Sequence, residues 1–147
     1  MITQIAIGAV LILATVVIAA LAFWLSETLV TWASPWLIRR PHPPKLVLVL
    51  VAAVLMVLGV LTLSVWVWAF AFVALGVFDA LEPAAYFSIV AFTTLGFGDV
   101  LLPMEWRILG GLTAANGLLN IGLFTALLVE ALRRVRSEQV RGVVDER

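Results

Sequence analysis

Three long apolar runs, residues 5–25, 46–78 and 108–132, decide most of what this chain can become. About 20 apolar residues are needed for a helix to cross a bilayer, and each run reaches that length. Hydrocarbon offers no water to the backbone, so such a run crosses as a helix, whose hydrogen bonds are all internal. Composition agrees: 64% of the 147 residues are hydrophobic and 12% are charged, against about 45–50% and about 25% in soluble domains. An all-α membrane protein is expected.

The first run follows Met1-Ile2-Thr3-Gln4, which lacks the positive region of a signal peptide, so a retained helix is expected, with Trp24 at an interface. Residues 26–45 carry Glu27, Trp32, Trp36, Arg39 and Arg40; Pro35 interrupts them, and Pro41, Pro43 and Pro44 end them. Tryptophans with a basic end predict a segment lying in the membrane interface, followed by a cytoplasmic loop. His42 in that loop reads as a solvated residue. The second run is too long for one upright crossing and too short for two, which suits a tilted helix extending past the bilayer.

Between the second and third runs the chain turns polar at intervals: Asp79, Glu82, Asp99 and Glu105. Glu82-Pro83 suits a helix start, where proline is tolerated and an acid meets the N-terminal dipole. A helix over residues 83–93 would be about 16 Å long, too short to cross, so it is expected to re-enter the membrane among other helices. Directly after it stands Thr93-Thr94-Leu95-Gly96-Phe97-Gly98-Asp99. Glycine adopts φ > 0 cheaply, so glycines alternating with other residues let successive carbonyls point to one side. Such carbonyls, with the Thr94 hydroxyl, form a ladder of oxygens able to replace the water shell of a monovalent cation. One loop cannot surround an ion, so several copies about an axis are required.

This stretch resembles the selectivity filter of potassium channels. Thr94, Leu95, Gly96, Phe97 and Gly98 fall on the filter pattern, with Asp99 following; Leu95 stands where valine is usual and Phe97 where tyrosine is. The T-x-G-F-G-D form is similar to the second pore loop of two-pore-domain channels and to many bacterial pores. The three apolar runs give three transmembrane helices; the resemblance adds a re-entrant pore helix and filter loop between the last two, assembled as a tetrameric pore. It implies K+ held at Thr94, Leu95, Gly96 and Phe97, with Thr93, Val90, Tyr86 and Asp99 supporting the filter. Some members have a glutamate bonded to the filter aspartate where this chain has Val90, so Asp99 needs another donor, and Tyr86 is the candidate.

The third run extends the resemblance. Residues 117–126 look like the inner helix of bacterial potassium channels with two helices per subunit. On that match Gly117 falls at a proposed hinge, while Leu118, Ile121, Thr125 and Val129, spaced by three, four and four, line the cavity and inner gate on one stripe. Gly117 reads equally as a packing glycine, since small residues let membrane helices approach closely. A second stripe, Thr113, Asn116, Asn120 and Phe124, is more polar; its asparagines are expected to bond a neighbouring helix. The resemblance covers roughly residues 46–136. It leaves 1–25 as an extra helix, 26–45 as interfacial segment and loop, and 137–147 as a short cytoplasmic tail.

Arg39, Arg40 and Lys45 lie in one loop, and Arg133, Arg134, Arg136 and Arg141 follow the last helix. Basic residues favour the cytoplasmic side, which puts the C-terminus inside and the N-terminus and filter outside, in a bacterial inner membrane by the family resemblance. The leading expectation is a homotetrameric channel passing K+ passively, with lipid and identical chains as partners and no cofactor. A weakly selective monovalent cation channel and a non-conducting membrane subunit of a channel complex are the alternatives. No nucleophile–base set or phosphate loop suggests an enzyme, and zero net charge gives no electrostatic case for nucleic acid.

Overall fold

The computed structural model describes residues 1–37 and 43–145. Arg39, Arg40, Pro41 and His42 lie outside the described residues, as do the side chains of Trp36, Arg134, Arg136 and Arg141. Among the described residues four α-helices follow one another: α1 (Ile2–Leu37), α2 (Pro43–Ala74), α3 (Leu81–Phe92) and α4 (Arg107–Asp145), with a 3-10 turn at Met104–Trp106 before α4. Among the described residues there is no strand, and three segments are long and apolar enough to cross a membrane: Ile2–Trp32, Val47–Ala74 and Met104–Glu130.

Helix α1 does not stop at residue 25, where an interfacial segment was expected; it continues unbroken to Leu37. Its polar residues stay inside the helix by bonding backward. Ser26 donates to the Phe23 carbonyl at 2.7 Å, Thr28 to Trp24 at 2.9 Å and Thr31 to Thr28 at 2.8 Å. Hydroxyls satisfied in this way do not require a helix end.

Helix α2 ends at Ala74, although the apolar run continues to Phe78. Gly76, at φ +68°, closes it: the Gly76 N–H reaches the Val73 carbonyl and the Val77 N–H the Phe72 carbonyl, both at 2.9 Å. This pairing satisfies carbonyls that the helix leaves open, and it needs a left-handed residue. The remaining apolar residues turn inward. Phe78 meets Phe72 edge-on at 6.0 Å between ring centres, and Phe87 of α3 meets Phe72 edge-on at 5.3 Å.

Helix α3 lies between α2 and α4. Ala84 and Phe92 of α3, Trp68, Ala69 and Phe72 of α2, and Leu102 and Leu109 form the main buried cluster. Toward the other end, Ala19 of α1, Val60 of α2 and Phe124 of α4 form a second. Thus α1 packs behind α2 and α4 of its own chain, and α3 with its following loop occupies the opposite flank.

Candidate functional site

The loop after α3 is gathered up by the last carbonyls of that helix. The Ile89 carbonyl accepts from the Thr93 N–H at 3.0 Å and from its hydroxyl at 2.7 Å. The Ala91 carbonyl accepts from the Thr94 N–H at 2.9 Å, and the Val90 carbonyl from Leu95 at 3.0 Å and Gly96 at 3.3 Å. Val90 therefore contributes through its backbone, while its side chain is buried in the core. These bonds satisfy the orphan carbonyls of a helix end and fix where the loop starts.

Three residues at alternate positions are left-handed: Thr94 at φ +58°, Gly96 at +59° and Gly98 at +77°. The glycines were expected there. Thr94 was not, because a β-branched residue with φ > 0 is an outlier, costing on the order of 1–3 kcal/mol unless its surroundings impose it. Here the N–H bonds of residues 93–96 to α3 impose it. Residues 93–99 are all exposed in the single chain, Leu95 at 57% and Phe97 at 66%.

Tyr86 donates its hydroxyl to Asp99 Oδ2 at 2.5 Å, and Asp99 Oδ1 accepts the Val100 N–H at 3.1 Å. The bond ties the far end of the loop back to the middle of α3, as expected from the lack of an acid at position 90. The Tyr86 hydroxyl holds the Asp99 carboxyl below its ordinary pKa of 3.8, and Asp99 raises Tyr86 above 10.0. Asp99 is charged and Tyr86 protonated throughout the neutral range. As pH falls through the lowered carboxyl value the tie is lost, and on the alkaline side it is lost only above the ordinary tyrosine range. Removing the donor in Tyr86→Phe should raise the pH at which Asp99 takes up its proton. A carbon-detected NMR titration of the Asp99 carboxyl checks this, and an unchanged titration would contradict the tie.

The two stripes of α4 separate cleanly. Thr113, Asn116, Asn120 and Phe124 are buried, whereas Leu118, Ile121, Thr125 and Val129 are exposed in the single chain. Thr125 returns its hydroxyl to the Ile121 carbonyl at 2.9 Å. Asn116 bonds Thr15 of α1, a residue that no feature of the first run marked out, whereas Asn120 donates to Asn116 within α4 instead of reaching a neighbouring helix. Gly117 has a packing duty: a Cβ there would lie 1.6 Å from the Phe92 carbonyl oxygen, so the α4 backbone touches the end of α3.

A short helix and left-handed loop held between two membrane-crossing helices define a pore-loop membrane protein. A family model described as ion channel matches residues 46–134, from α2 into α4, and the chain belongs to that family, the potassium-channel-like pores with two membrane helices per unit. No curated protein and no solved structure gives a significant match to the chain. Helix α1 lies outside the matched region.

Proposed function

We propose that this ion channel is potassium-selective and that four identical chains surround one ion path. The observation that carries the reading is the alternation of left-handed residues at 94, 96 and 98, which suits carbonyls of consecutive residues turned to one side. Thr94, Leu95, Gly96, Phe97 and Gly98 then coordinate K+ in place of water, with Thr93, Val90, Tyr86 and Asp99 holding the loop. Leu118, Ile121, Thr125 and Val129 line the cavity and inner gate. Four chains account for the exposure of the whole loop, and for Leu95, Phe97, Leu101 and Met104 standing uncovered at one end of the single chain.

Transport needs no chemistry: ions pass between sites that bind strongly enough to admit them and weakly enough to release them. The loop faces outside and the C-terminus the cytoplasm, by the basic residues flanking the helices. The test is flux into liposomes containing purified wild-type protein, with K+ and Na+ compared. Selective K+ uptake by a cross-linkable tetramer is expected. Equal uptake of both ions would overturn selectivity, and a folded tetramer that passes neither would overturn conduction.

A further inference from the structure

The two-helix pore needs no further helix, yet α1 is bonded to α4 at two levels. At the end shared with the loop, the Gln4 side-chain amide donates to the Glu105 carbonyl and accepts the Leu109 N–H at 3.3 Å. That N–H lies in the first turn of α4, where the helix offers no partner. Eleven residues further along α1, about 16 Å deeper at 1.5 Å per residue, Thr15 meets Asn116. The Asn116 amide donates to the Thr15 hydroxyl at 2.8 Å, and that hydroxyl lies 3.0 Å from Asn116 Oδ1 and 2.9 Å from the Ile12 carbonyl.

Asn120 extends the network, donating to the Asn116 carbonyl at 2.9 Å and to Asn116 Oδ1 at 2.8 Å. Because its amide faces two oxygens, its orientation is fixed by the acceptors around it. Its Oδ1 finds no donor among the described residues. Thr15, Asn116 and Asn120 are all buried, so a partner that leaves is not replaced by water, and the network favours one placement of α1 on α4. The next residue, Gly117, touches the Phe92 carbonyl. Helix α4 is thus gripped from behind by α1 at the turn where it meets α3 in front.

We propose that α1 positions the inner helix: Thr15, acting through Asn116, holds α4 against the end of α3 and so sets the balance between conducting and non-conducting arrangements. The proposal rests on the channel reading. Thr15 is a positioning residue, since it reaches the ion path only through α4.

Two perturbations of opposite sense test it. Thr15→Val keeps the shape and loses the hydroxyl, which weakens the arrangement seen here. Gly8→Cys with Leu112→Cys strengthens it: a Cβ on Gly8 would stand 3.3 Å from the Leu112 Cβ, near the roughly 3.5–4.5 Å of a disulfide, and the chain has no cysteine of its own. In single-channel recordings from planar bilayers, the two should move the open-to-closed ratio in opposite directions. Thr15→Val is expected to shift it about threefold per subunit, the scale of one hydrogen bond between membrane helices. Thr15→Ser should restore it, reductant should reverse the disulfide, and unitary conductance and K+/Na+ selectivity should stay at wild-type values. Shifts in the same direction, or none, would overturn the proposal. If Thr15→Val fails to assemble, the disulfide decides alone: an open-to-closed ratio unchanged between oxidised and reduced protein would overturn it. A wild-type tetramer that never conducts would overturn the channel reading, and this proposal with it.

Discussion

Gly117→Ala is expected to abolish the assembled protein rather than alter its gating. The added Cβ would sit 1.6 Å from the Phe92 carbonyl oxygen, 2.6 Å from its carbon and 3.0 Å from its Cα. That is roughly 1.7 Å inside a normal carbon–oxygen approach. The obstacle is backbone at the end of α3, so no side chain can rotate away, and α3 or α4 must move. Retreat of α4 is opposed from the other side by the Thr15–Asn116 bonds. Overpacking commonly costs about 1–3 kcal/mol, and more when backbone is displaced; a tetramer would incur it four times. Size-exclusion chromatography and thermal melting in detergent provide the readout. Loss of the proposed tetramer with a large fall in Tm is expected. Gly59→Ala, a helix glycine with nothing within 4 Å of the added atom, should leave both unchanged. A Gly117→Ala tetramer with wild-type Tm and altered opening would make Gly117 a hinge and remove its packing role.

The sequence could not have decided between those two roles, because a glycine's neighbours across a helix pair are set by the partner helix. Features of α3 and its following loop were more legible. A glycine alternation, an acid-proline helix start and a segment too short to cross are local signals, and all three reappear in the structure, with α3 starting at Leu81, two residues ahead of Pro83. Tyr86 was legible through Asp99, which needs another donor when no acid stands at position 90 and finds it in the Tyr86 hydroxyl. Helix ends were harder. The apolar run suggested a second helix reaching residue 78, but apolarity does not distinguish lipid-facing residues from those of the Phe72–Phe78–Phe87 cluster. Gly76 was the available signal.

The first helix shows the opposite difficulty. The apolar run ends at residue 25, before Glu27, Trp32 and Pro35, yet the backward hydrogen bonds of Ser26, Thr28 and Thr31 show why polarity in the sequence does not require a break in the helix. Two stripes at helical spacing compete on α4, and periodicity ranks neither. What separates them is the placement of Thr15 opposite Asn116, a contact between residues about a hundred positions apart. Polar residues inside a membrane turn toward protein, but the residue that receives them belongs to another run.

For Gly96→Ala the proposed K+-selective tetramer is expected to fold but no longer to distinguish K+ from Na+. Gly96 is the converse of Gly117. Within its own chain Gly96 has room, since the nearest atom to an added Cβ is the Thr94 carbonyl oxygen at 4.0 Å, but its φ is +59°. A left-handed residue other than glycine costs roughly 1–2 kcal/mol. Thr94, at φ +58°, already carries such a residue in the same loop, and the last carbonyls of α3 offer it only a few bonds. A second strained position two residues on, repeated in the four chains of the proposed tetramer, adds roughly 4–8 kcal/mol by the same figure. The inexpensive relief is for residue 96 to return to φ < 0, which turns a carbonyl away from its neighbours. Helices α2, α3 and α4 do not depend on that carbonyl, so Tm should fall little while selective flux disappears. Paired K+ and Na+ flux assays on melting-tested tetramers check this. Retained selectivity in Gly96→Ala would show that the alternation at 94, 96 and 98 is not what discriminates between the ions.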